Sequence, residues 1–114
     1  MKALFVELPA FERHRSEYLD DGAFSALQTS LLANPEAGDV IRGTGGLRKV
    51  RFGHEERGKG KRGGLRVIYY WWAPGHQFWL FTLYGKGEVS DLTAEQRKSV
   101  REVLKAELKA RKSR

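Results

Sequence analysis

The twenty residues from Leu65 to Tyr84 constrain the fold most. The run LRVIYYWW, 65–72, is rich in β-branched and aromatic residues and reads as a strand. Ala73-Pro74-Gly75-His76 sets Pro beside Gly, a turn signal. Gln77 to Tyr84 then reads as a second strand, paired back antiparallel. Its Phe78, Leu80, Thr82 and Tyr84 alternate with Trp79, Phe81 and Leu83, and both sets are largely apolar. Neither face of such a strand can be left to water, so it is expected to lie centrally in a sheet covered on both sides. The rest of the chain must supply those covering layers.

The flanking segments read accordingly. Residues 4–8 form a short apolar strand stopped by Pro9, suited to a sheet edge. Phe11 to Leu19 reads as a helix with Phe11, Arg15 and Tyr18 on one face. Asp20 or Asp21 caps a second helix in which Phe24, Leu27 and Leu31 share a stripe, and Asn34-Pro35 ends it. Leu47 to Phe52 reads as a strand with Val50 and Phe52 on one side and Lys49 and Arg51 on the other. A loop from Gly53 to Gly64 follows, and Gly85-Lys86-Gly87 closes the sheet. Thr93 and Gln96 match a capping box. In the helix after it, Val100, Val103, Leu104 and Leu108 are the expected buried stripe, and Lys98, Arg101, Lys105 and Lys109 the outer face. The order β-α-α-β-β-β-α predicts a single α+β domain over residues 1–114. It has two N-terminal helices, a C-terminal helix and an antiparallel sheet of about four strands.

Charge is concentrated rather than spread. The formal net charge is +7, and the glycine-rich run from Arg42 to Arg66 holds nine Lys or Arg against two acids. A cationic, glycine-punctuated segment beside apolar strands suits a phosphate-backbone ligand; a solvated basic loop is the other reading. With no cysteine, disulfides, zinc-thiolate centres and thiol nucleophiles are excluded. The opening residues reach acidic Glu7 too early for a signal peptide, and the apolar runs are short of a membrane span, so a soluble cytoplasmic protein is expected.

Two familiar patterns occur literally and fail in context. Residues 58–63 match G-x-G-x-x-G, but a strand follows where the dinucleotide fingerprint needs a helix. Residues 53–60 fall one residue short of a P-loop, with Gly60 where a hydroxyl must reach magnesium. His14, His54 and His76 lack metal-ligand spacing, and no serine sits in a nucleophile elbow.

A basic constellation remains. Lys49 and Arg51 share one strand face, Arg66 opens the next strand, and Tyr84 and Lys86 end the third. If these strands are neighbours, the side chains converge on one patch that can grip phosphates and stack a base. Such a patch can also support RNA cleavage. The 2′-hydroxyl attacks the adjacent phosphorus, a base takes its proton, cations neutralise the phosphorane, and an acid protonates the leaving 5′-oxygen. Tyr84 is equally readable as core, and Lys49 and Arg51 as a solvated sheet face.

The pieces GTGGLRKVR (43–51), GKGKRGG (58–64), RVIYY (66–70), LYGKGE (83–88) and DLT (91–93) together resemble the HigB-type branch of the RelE toxin superfamily. The resemblance runs over nearly the whole chain. It implies a RelE-like, microbial-ribonuclease-like fold and the toxin of a type II toxin–antitoxin pair. Such a toxin is a ribosome-dependent endoribonuclease that cuts mRNA in the ribosomal A site. It needs no metal or organic cofactor, and a HigA-type helix-turn-helix antitoxin neutralises it. The toxin alone is expected to be a monomer away from membranes. The lysine pair of RelE resembles Lys49 and Arg51, although a guanidinium is a poor base. The arginine bracing the scissile phosphate resembles Arg66. Two further RelE site residues fall at Gly87 and near Thr93 and are not kept. The resemblance therefore leaves Tyr84 as the local candidate for base stacking and Lys86 for holding phosphate or donating a proton. Arg48, Lys59, Lys61 and Arg62 would grip RNA backbone. A non-catalytic basic RNA- or DNA-binding module is the alternative.

Overall fold

The computed structural model describes residues 2–53, 64–85 and 92–112. Lys59, Lys61, Arg62 and Lys86 lie outside the described residues, as does most of the expected Gly53–Gly64 loop.

Strands β4 (Leu65–Trp72) and β5 (Gln77–Gly85) form the antiparallel hairpin, joined by a 3-10 turn over Ala73–Gly75. His76 completes the turn in the left-handed region, at φ 51°. Strand β3 (Arg48–Phe52) pairs antiparallel with β4, and β2 (Asp39–Val40) with β3. Strand β1 (Leu4–Glu7) takes the other edge, giving the order β1-β5-β4-β3-β2. The fold is α+β, but the sheet has five strands and is mixed, because β1 runs parallel to β5. No local turn ties β1 to its partner, so nothing in its own sequence fixes its direction. It is held by its parallel pairing with β5, by Leu4 N donating to His76 O (3.0 Å) and Leu8 N to Leu80 O (2.9 Å), and by Phe5 stacked on Phe78 at 4.8 Å between ring centroids. Strand β2 spans two residues, too few for an alternation to register.

The sheet is indeed covered on both sides. On one side lie α1 (Pro9–Tyr18) and α2 (Asp21–Ala33). Phe11, Leu27 and Leu31 bury there against Val67, Tyr69, Phe78, Leu80 and Leu83. Helix α1 starts with Pro9 in its first turn, where its missing N–H costs nothing. Asp20 caps α2, its Oδ1 accepting from Ala23 N at 2.8 Å. The Tyr69 hydroxyl donates to the carbonyls of Ala37 (2.7 Å) and Pro35 (3.0 Å) and ties the α2–β2 connection to the core. Burial pushes the Tyr69 phenol up to about 12.

On the other side lies α3 (Ala94–Lys112), packed on Ile68, Trp79, Phe81 and Tyr84 through Leu104, Val100 and Leu108. Its capping box forms as expected: Gln96 N donates to Thr93 Oγ1 at 3.1 Å, and Thr93 N to Gln96 Oε1 at 2.8 Å. Two helix assignments change. Val103 is 43% exposed, and Arg101, expected outside, is half-buried. The inward stripe is Arg97, Arg101, Leu104, Leu108 and Arg111, whose 4-3-4-3 spacing leaves Val103 to one side. At the far end the Arg111 guanidinium lies 4.8 Å from the Trp79 ring centroid and 5.7 Å from that of Trp72. No helix among the described residues is long and apolar enough to cross a membrane.

Candidate functional site

Strand register decides which basic side chains meet. Arg51 pairs with Arg66 across β3–β4, and Arg66 with Tyr84 across β4–β5. The three form one row on the α3 side of the sheet, and Lys49, two residues before Arg51, shares that face. Tyr84 joins the row through an irregularity. Ile68 pairs with Thr82 but Tyr69 pairs with Leu80, so Phe81 is an extra residue, a β-bulge. The simple alternation expected for β5 therefore breaks. Phe78, Leu80 and Leu83 face α1 and α2, whereas Trp79, Phe81 and Tyr84 face α3.

Burial differs along the row. Arg51 is exposed, while Lys49 and Arg66 are half-buried. Tyr84 is 8% exposed and belongs to the core under α3, so its ring offers no open face to a base. The structure thus favours the core reading of Tyr84 over the stacking one. Arg66 Nη1 is buried and has no hydrogen-bond partner among the described residues. A guanidinium N–H left so is costly unless a ligand supplies an acceptor.

Arg48 does not join this group. It pairs with Tyr69, which faces α1 and α2, so it points to the opposite side of the sheet. Its Nη1 donates to the carbonyls of Glu36 (2.8 Å) and Gly38 (3.3 Å), and Nη2 lies 3.5 Å from Glu36 Oε2. These bonds brace the α2–β2 connection.

The GTGG segment is a built loop. Thr44 is fully buried; its hydroxyl donates to Ile41 O at 2.6 Å and accepts from Leu47 N at 3.1 Å. Gly43, Gly45 and Gly46 take positive φ, which glycine alone adopts without strain. The loop sets the approach of β2 to β3 and so places Asp39 directly opposite Lys49.

Asp39 and Arg97 escaped the sequence reading, and Arg42 entered it only as the start of the basic run. With Lys49, Val40 and Ile41 they line a cleft of about 210 Å³ between β2, β3 and α3. Arg97 falls on the helix stripe at four-residue spacing from Arg101, a signal present in the sequence but overshadowed by the apolar stripe of Val100, Leu104 and Leu108. On the other flank, Gln96 and Tyr84 line a second crevice of about 270 Å³ together with His14 and Tyr18. Consecutive residues of α3 thus reach opposite flanks of the row, so the first turns of the helix lie across it.

The row and its neighbours supply cations for a phosphate and one carboxylate at Asp39, while the Tyr84 hydroxyl is buried. Guanidinium forks match phosphate geometry in two-point contacts. Among the described residues no three His, Asp or Glu gather as a metal-binding cluster. No family model matches the chain.

Proposed function

We propose that this chain is a metal-independent endoribonuclease, the toxin of a type II toxin–antitoxin pair, which cleaves translated mRNA in the ribosomal A site. The observation that carries the proposal is the register row Arg51–Arg66–Tyr84 with Lys49 on the same face. The sequence resemblance to HigB-type toxins independently picks out Lys49, Arg51 and Arg66. In this reading Arg66 braces the scissile phosphate, with Arg51 beside it and Lys49 further along the strand. Together they neutralise the charge that builds as the 2′-hydroxyl attacks phosphorus and the 5′-oxygen leaves. Tyr84, paired in register with Arg66, belongs to the core. The working partners are mRNA, the ribosome and a helix-turn-helix antitoxin in the cytoplasm.

Inducing the chain in bacteria tests this. The expected result is growth arrest with new mRNA 5′ ends inside translated codons, relieved by Arg66→Ala at equal expression. A second reading, a non-catalytic RNA-binding module, draws support from the scarcity of proton acceptors in the row. A guanidinium does not titrate, and Tyr84 is buried. Intact transcripts and normal growth on induction would favour that module.

A further inference from the structure

Helix α3 contributes more than a cover. Its inward stripe carries Arg97 and Arg101 where a packing helix ordinarily presents apolar residues. Arg97 reaches the cleft at the β2–β3 edge, where Arg42 and Lys49 join it. Three cations thus face one carboxylate, Asp39, in a space of about 210 Å³. A phosphate group fits that volume with room for water. Arg101, one turn along the same stripe, holds a buried Nε with no partner among the described residues. Arg101 Nε and Arg66 Nη1 are thus both buried donors with no partner among the described residues.

We infer that Arg42, Lys49 and Arg97 form a phosphate subsite next to the Arg51–Arg66 row, holding the neighbouring phosphodiester of a bound RNA strand. The inference rests on the reading of that row as the place of the scissile phosphate. Lys49 and Arg51 lie on one strand face, separated by about 7 Å. That separation suits adjacent phosphates of an extended single strand, so one backbone can engage both places. Asp39, paired in register with Lys49, lines the same cleft and offsets part of its positive charge. The helix becomes one wall of the RNA path, and the strand enters between α3 and β3.

The probes are 2′-O-methyl RNAs, which cannot be cleaved: a trinucleotide with two phosphates and a dinucleotide with one. Binding to the full chain is followed by titration over a series of salt concentrations. Arg97→Gln should weaken the trinucleotide about tenfold, the scale of one lost charge-assisted contact. It should lower the slope of log affinity against log salt by about 0.7, one phosphate's share on a single strand, and leave the dinucleotide unchanged. Arg97→Lys, with its charge kept, should retain most of the trinucleotide affinity, and an unchanged thermal midpoint in both variants excludes misfolding. Arg66→Gln should weaken both probes. If Arg66→Gln weakens binding and Arg97→Gln does not, the subsite is overturned and the proposed function stands. If Arg97→Gln weakens inorganic phosphate but neither RNA, the cleft is a free-anion site and the inference also fails. Wild-type protein binding neither RNA would overturn the subsite, whereas the proposed function falls only if induction leaves growth and transcripts intact.

Discussion

Arg66 and Tyr84 stand opposite each other on β4 and β5, and they share a face only because Phe81 is an extra residue in β5. Without the bulge, Tyr84 would follow Leu80 and point toward α1 and α2. With it, Trp79, Phe81 and Tyr84 gather under α3. Tyr84 is therefore a core residue of the α3 side that is paired in register with Arg66. Tyr84→Ala removes a buried aromatic ring and should destabilise the fold by about 3 kcal/mol, whereas Tyr84→Phe should cost no more than about 1.5 kcal/mol. Equilibrium denaturation compares the two, and equal stability of Tyr84→Ala and wild type would refute the core role.

How much of this was legible beforehand depended on the range of the forces. The β4–β5 hairpin, the Asp20 cap and the Thr93–Gln96 box are set by neighbours a few residues apart, and each forms where the sequence puts it. The parallel β1 and the short β2 are held by partners far along the chain, which no local pattern encodes. Lys49 and Arg51 were legible through strand parity. The bracing of the α2–β2 connection by Arg48 was not legible, because only the assembled fold brings those carbonyls within its reach. Arg97 was hidden for the converse reason: a cation on a packing stripe looks like an error until the strand beneath it is known.

The Tyr69 phenol gives the fold an alkaline limit. Burial raises it from the ordinary 10.0 to about 12. The folded protein thus holds this proton more tightly than the unfolded chain does. The resulting stability is complete below pH 10 and is lost as pH rises from there toward 12. Denaturation midpoints measured from pH 8 to pH 12 should fall above pH 10. Tyr69→Phe should flatten that fall, while losing about 1–2 kcal/mol at neutral pH because the Ala37 and Pro35 carbonyls lose their shared donor. A fall of the same steepness in the variant would place its origin elsewhere.

Arg111 pins the C-terminal end of α3 to the sheet. Its guanidinium lies over Trp79 and Trp72 and reaches Glu107 at 3.2 Å and Gln77 at 3.4 Å. Arg111→Ala should cost about 1–2 kcal/mol, since the cation–π contact is half-buried, and should shift tryptophan fluorescence as water reaches the indoles. If α3 forms one wall of the RNA path, the same variant should also bind the trinucleotide more weakly. An unchanged fluorescence spectrum would show that the helix end stays docked without this residue.

Gly38 and Gly43 separate backbone strain from crowding. Both have positive φ, +84° and +83°, so alanine at either costs about 1–2 kcal/mol in backbone conformation alone. A Cβ at Gly43 meets nothing within 4 Å, but one at Gly38 would lie 2.2 Å from the carbonyl oxygen of Lys49. That atom is backbone and cannot swing aside, so β2 must move off β3 and carry Asp39 away from Lys49. Gly38→Ala should therefore destabilise the protein well beyond Gly43→Ala and loosen the cleft together with the edge strand. Hydrogen exchange at the β2–β3 pairing should quicken in Gly38→Ala and remain slow in Gly43→Ala. Equal protection in the two variants would mean that the close approach of Gly38 to Lys49 does not hold the site together.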